Sequence, residues 1–250
     1  MPDAPPPGTR FGTIPPPVRP APGAPSTAGG DPDAPGTGAA PAPEPLARAI
    51  AGRYGALAGG EGSLSCGPAL DLARPAPGET VVDLGCGRGR DVLRAAAAVG
   101  PAGLAVGVDA SEEMVARARG AVPPGTANVR LVRADLADTG LPAGLADAVV
   151  SNCAINHAPD KEAVFREVAR LLRPGGRVVV SDVVSEGVLP EEVRNDPAAW
   201  AACYGGAIPE AEYRAAVERA GLREVEVLRR SEPYPRGGAL VRSVTLRGIR

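Results

Sequence analysis

Histidine occurs once in the 250 residues and cysteine four times. The cysteines are Cys66, Cys86, Cys153 and Cys203, and no two stand in CxxC spacing. The spacing therefore gives no support to a Cys/His zinc site. The lone histidine, His157, leaves no convincing catalytic diad. No sign of charge dominates: 27 basic against 29 acidic side chains give a net charge of −2, without a basic stripe. A nucleic-acid partner is not indicated. No apolar run approaches the roughly 20 residues that cross a bilayer. The N-terminus lacks the charged and apolar regions of a signal peptide. A cytoplasmic protein is expected. In a reducing cytosol, disulfide staples lose weight and thiol chemistry or ligation gains it.

Proline, alanine and glycine dominate residues 1–45, with PPP at 5–7 and 15–17. Such a segment buries too little apolar surface to offset its ordering entropy, so it is expected to be a disordered tail. Residues 46–250 read as one domain. ETVVDL, LAVGVD at 104–109, NVRLVRAD at 128–135, ADAVVSN at 146–152 and RVVVSDVV are five strand patterns. Helical patterns separate them, including SEEMVARAR with Ser111 as N-cap, and DKEAVFREVARLL, which Gly175 and Gly176 are expected to stop. A helix near 209–220 leads to two late strands, REVEVL and ALVRSVTLR. This alternation predicts an α/β fold, a mostly parallel sheet with helices on both faces.

VVDLGCGRGRD carries the most legible chemistry. Gly85, Gly87 and Gly89 lie between the first strand and its helix, where glycine allows a tight turn and close approach of a ligand. Asp109 ends the second strand, a place from which a carboxylate reaches ribose hydroxyls. A dinucleotide GxGxxG loop needs glycine at position 90, and Arg90 stands there.

Loop, acid and alternating strands resemble the class I S-adenosylmethionine-dependent methyltransferases, which implies a Rossmann-like fold with a seven-stranded sheet. The resemblance implies a cofactor site of Asp83, Gly85, Cys86, Gly87, Gly89, Asp109, Ala110, Met114, Asp135, Leu136 and Asn152. Asp135 matches the family's adenine-reading acid. Cys86 itself is expected to pack beneath the loop. SLSCGPALDLA, SNCAINHAPDK and LPEEVRNDPAAWAACYGGA narrow the resemblance to the arsenite methyltransferases. It implies that Cys66, Cys153 and Cys203 ligate trivalent arsenic, within substrate segments around 63–70 and 184–210. Arsenite and methylated trivalent arsenicals are then the substrates, and small thiols or a thioredoxin-type protein the reductants. A monomer is expected.

Trivalent arsenic is thiophilic, and soft thiolates are the ligands it prefers. Three sulfurs hold it in a pyramid with its lone pair exposed toward a methyl donor, and no general base is needed. The chain also departs from the family. It lacks a further N-terminal cysteine, Ala202 stands where some relatives carry an acid, and His157 follows the IN where a small or apolar residue is usual. His157 is expected at the mouth or in solvent, and Trp200 as a packing anchor for the Cys203 segment. Two other readings stand beside this one. One is a class I methyltransferase of another small molecule with merely buried cysteines. The other is a non-enzymatic metalloid-binding protein, which would need neither loop nor acid.

Overall fold

A computed structural model describes residues 43–58 and 67–250. The expected disorder of residues 1–42 and the Cys66 ligand lie outside the described residues. Helix α1, Pro43–Ala58, takes in the last three residues, 43–45, of the expected tail. The remaining elements are α2 (Ala69–Ala73), β1 (Thr80–Leu84), α3 (Arg90–Val99), β2 (Leu104–Asp109), α4 (Glu112–Ala121), β3 (Val129–Arg133) and β4 (Ala146–Asn152). A short 3₁₀ turn (Ile155–His157) then leads to α5 (Lys161–Leu171), β5 (Leu172–Ser185), α6 (Glu191–Arg194) and α7 (Pro197–Ala201). The series closes with α8 (Glu210–Arg219), β6 (Arg223–Arg230), β7 (Tyr234–Arg236) and β8 (Ala239–Ile249).

The strands form one sheet ordered β3-β2-β1-β4-β5-β8-β6. The first five run parallel, and β8 pairs antiparallel with both β5 and β6. The expected seven strands are present along this path, and β7 adds an eighth as a hairpin partner of β8. The central strands β1 and β2 are mostly apolar and buried because helices cover both faces, whereas β3 at the sheet edge interleaves apolar and charged residues. On one face Val82, Leu84 and Val149 pack with Phe165, Leu171, Tyr213 and Val217 of α5 and α8. On the other, Val81, Ala148 and Val150 pack with Leu70, Val92, Ala95 and Val99 of α2 and α3.

Local sequence accounts for the helix ends. Ser111 caps α4 by accepting the Met114 N–H, and Asp160 caps α5 by accepting the Ala163 N–H. α5 does not run on to Gly175. It ends at Leu171, and Leu172 already pairs with Ala146 of β4. Pro174 explains the early exit, since the residue before proline is driven out of the helical region.

Phe165 is fully buried and meets the Tyr213 ring edge-on, with centroids 5.5 Å apart. Phe165→Ala should lower unfolding free energy by about 3–5 kcal/mol. Urea titration followed by circular dichroism checks the value.

Candidate active site

Three parallel strands end side by side. Leu84 of β1 pairs with Val108 of β2 and Ser151 of β4, and the Ser151 hydroxyl donates to the Leu84 carbonyl at 2.8 Å. The chain leaving each strand is thereby fixed: the glycine loop after β1, Asp109 at the end of β2, and Asn152–Cys153 at the end of β4.

Two glycines of the loop have different physical reasons. A Cβ on Gly85 would stand 2.1 Å from the Ala154 Cβ, so the loop and the turn after Cys153 are in intimate contact. Gly87 has φ +52°, and a Cβ there would meet nothing within 4 Å. The space above Gly87 is open. Asp109 braces the loop from the side: one carboxylate oxygen accepts the Gly87 N–H at 2.8 Å, the other the Ser111 N–H at 2.9 Å. Burial nevertheless raises its pKa. Asp83 is buried under the loop, and burial, with Asp91 and Asp109 adding to it, raises its carboxyl pKa well above the ordinary range. Cys86 is also buried, and burial pushes its thiol well up.

The other expected cofactor residues sit unevenly. Asn152 donates to Asp91 at 3.0 Å and accepts the Ala69 N–H, tying β4 to the start of α3. Ala110 is exposed beside Asp109. Asp135 is exposed and accepts the Ala137 N–H at 2.8 Å; β3 ends two residues before it. Leu136 is half-buried beside it. Met114 is buried, and its N–H donates to the Ser111 cap at 3.2 Å.

Cys153 and Cys203 line one cavity of about 160 Å³, with Val183, Tyr204, Arg53 and Arg236 among its walls. Both cysteines are in the left-handed backbone region, at φ +53° and φ +70°. Such conformations cost of order 1–3 kcal/mol at a non-glycine residue and persist only where surroundings enforce them. The enforcement is visible. The Cys153 N–H donates to the Ser181 carbonyl at 2.9 Å, and the Cys203 N–H donates to the Trp200 carbonyl at 2.9 Å. The Asn156 amide donates to the carbonyls of Val183, at 2.6 Å, and Cys203, at 3.2 Å. The buried Asp182 carboxylate in turn accepts the Asn156 N–H and the Tyr213 hydroxyl. Burial pushes Asp182 up and Lys161 down, each toward its neutral form. Trp200 is buried, donates its indole N–H to the Arg194 carbonyl, and anchors the Cys203 segment.

The redox states differ. Cys86 and Cys203 are free thiols, whereas Cys153 is held in a disulfide and needs reduction before it can act as a ligand. Burial raises the Cys203 pKa.

His157 is not isolated. Half-buried, it places Nε2 2.7 Å from the Tyr54 hydroxyl and 3.3 Å from Cys203 Sγ. Tyr54 Oη lies 3.3 Å from the same sulfur. Tyr54, on α1, was not anticipated from sequence: helical spacing marks it as one aromatic among alanines and glycines, with no sign of what it faces. Burial lowers the imidazole pKa to about 4. The unfolded chain therefore binds a proton here near pH 6.5 that the folded chain does not. Stability should fall as pH drops below 6.5 and stop falling from this source below about 4. His157→Gln should flatten that part of the stability–pH curve, as read by urea midpoints between these limits.

Among the described residues no helix is long and apolar enough to cross a membrane. A family profile described as a methyltransferase domain matches residues 75–221. The chain is 39% identical over 175 residues to the arsenite methyltransferase of Halobacterium salinarum, covering 70% of this chain and 45% of that protein. It is 42% identical over 123 residues to the nocamycin O-methyltransferase of Saccharothrix syringae, covering 49% of this chain and 44% of that protein. The chain thus spans less than half the length of these two relatives. An arsenic(III) S-adenosylmethionine methyltransferase from Chlamydomonas reinhardtii superposes with a TM-score of 0.67 at 28% identity, covering 79% of this chain and 73% of that one. The profile takes in the glycine loop, Asp109, Cys153 and Cys203. The chain belongs to the methyltransferase-domain family and has the class I S-adenosylmethionine-dependent methyltransferase fold.

Proposed function

We propose that this protein is an arsenite methyltransferase, moving methyl groups from S-adenosylmethionine to trivalent arsenic held by cysteine sulfur. The observation that carries this reading is the pair Cys153 and Cys203, brought from distant segments to one cavity whose Cys153 turn packs on the glycine loop. A buried structural cysteine has no need of a left-handed backbone at a cavity wall. The likeness to arsenic methyltransferases in sequence and in structure supports the same reading.

The residues fit the cofactor. The open space over Gly87 admits a ligand against the backbone, and Asp109 stands beside it with acceptor capacity left on both oxygens. When bound, S-adenosylmethionine supplies an electrophilic methyl carbon on a sulfonium. Gly85, Gly87 and Gly89 form the cradle, Asp109 takes the ribose hydroxyls, and Asp135 reads the adenine. Cys66, Cys153 and Cys203 hold the arsenic so that its lone pair faces the donor, and catalysis is mainly positioning. Cys153 enters this set only in its reduced form, so turnover depends on a thiol reductant, either a small thiol or a thioredoxin-type protein.

Three outcomes are expected. Arsenite, but not arsenate, should raise formation of S-adenosylhomocysteine by the reduced chain; equal stimulation by neither would favour methylation of another small molecule. Cys153→Ser and Cys203→Ser should each lose methylation of arsenite, because serine offers a hard oxygen that arsenic does not accept in place of thiolate. Product speciation by liquid chromatography with mass spectrometric detection reads both. Asp109→Ala should weaken cofactor binding by about 1.5–3 kcal/mol, the worth of a hydrogen bond to a charged group, while arsenite binding stays near wild type. Calorimetric titration of the folded variant measures it.

A further inference from the structure

The geometry points to a proton relay, Cys203 to Tyr54 to His157, that loads arsenic onto Cys203. The inference rests on the arsenite reading above and adds two residues to it.

Cys203 has a problem that its own position creates. The residue is half-buried, and desolvation makes its thiol hold its proton more firmly than a free cysteine. Arsenic cannot bond to that sulfur until the proton leaves. Among the described residues three groups lie within hydrogen-bond reach of Cys203 Sγ: the Cys153 carbonyl at 3.4 Å, the Tyr54 hydroxyl at 3.3 Å and His157 Nε2 at 3.3 Å. A carbonyl accepts a hydrogen bond but cannot carry the proton away. A hydroxyl passes one on, and a neutral imidazole nitrogen takes one.

The three side chains come from distant parts of the chain, α1, the 3₁₀ turn and the loop after α7. They converge on one sulfur with the hydroxyl 2.7 Å from the ring nitrogen. The ring also meets the Tyr54 ring edge-on at 5.2 Å, which fixes its orientation. His157 Nδ1 is buried without a hydrogen-bond partner, and burial keeps the ring in its neutral form. With the proton of the neutral ring on Nδ1, Nε2 carries the lone pair and faces Tyr54 and the sulfur.

The step balances without any oxidant or reductant. Cys203 as a thiol and arsenous acid give the sulfur–arsenic bond and one water. The S–H and one As–O bond break, and the S–As bond and an O–H bond form. Arsenic stays trivalent. As sulfur attacks, its proton moves to Tyr54 Oη, whose own proton moves to Nε2. The reverse transfer then delivers a proton to the departing hydroxide.

That last transfer gives the test. Hydroxide is a poor leaving group, the conjugate base of water with a pKa near 15.7, and needs the proton. A thiol leaves as thiolate from a pKa of about 8.5 and needs it much less. The fully reduced chain is mixed in stopped flow with arsenous acid, or with the conjugate of arsenite and 2-mercaptoethanesulfonate. Thiolate–arsenic absorbance in the near ultraviolet follows loading. Tyr54→Phe keeps the ring on α1, and His157→Gln keeps a polar group without a relay nitrogen. Each should slow loading from arsenous acid by about a hundredfold, yet change loading from the conjugate by less than about threefold. Equal slowing with both arsenic sources would mean that these residues only shape the site, and unchanged rates would mean they do nothing to the proton; either overturns the relay. Cys203→Ser separates this from the underlying reading. Wild-type loading in that variant would remove arsenic from Cys203 altogether, whatever Tyr54 and His157 do.

Discussion

The contact between Gly85 and Ala154 joins the two halves of the site. One residue belongs to the loop after β1, the other to the turn after β4, and no side chain fits between them. β1 and β4 are hydrogen-bonded neighbours in register up to Leu84 and Ser151. Whatever lies on the loop is therefore held at a fixed distance from Cys153. A methyl transfer between two bound molecules needs that kind of constraint, because small misplacements of the reacting atoms are costly.

Much of this was legible in the residues. β2 and β4 begin and end as expected, each an apolar stretch that closes on polar residues, Asp109 and Ser151–Asn152, at the edge of the site. The N-caps Ser111 and Asp160 act locally, and local signals survive folding. Helix α5 was less legible at its far end, because Gly175 and Gly176 drew attention from Pro174, which acts sooner. β7 and the short helices α6 and α7 escaped notice. At three to five residues each, they are too short to establish a period.

The candidate site divides in the same way. The loop, Asp109 and the cysteine motifs are contiguous strings, and a string can be read. The grouping of Tyr54, His157 and Cys203 is not contiguous; residues 103 and 149 positions apart meet only through packing of α1. His157 carried a sign of its own, an imidazole where an apolar side chain is usual, but its partner could not be named from sequence.

The position of β8 has a consequence for assembly. β6 touches the sheet through β8, although β6 precedes it in the chain. β6 therefore reaches the sheet only through β8, after β8 has docked on β5 or as a β6–β8 pair that docks together, and β5 and β8 pair across about fifty intervening residues. Closing so long a loop is a slow, entropically opposed step. Val241 of β8 and Tyr234 of β7 wall the cysteine cavity. The thiols thus acquire their last wall late, and a folding intermediate that holds only the parallel strands would present Cys153 and Cys203 to solvent as ordinary, unsheltered cysteines.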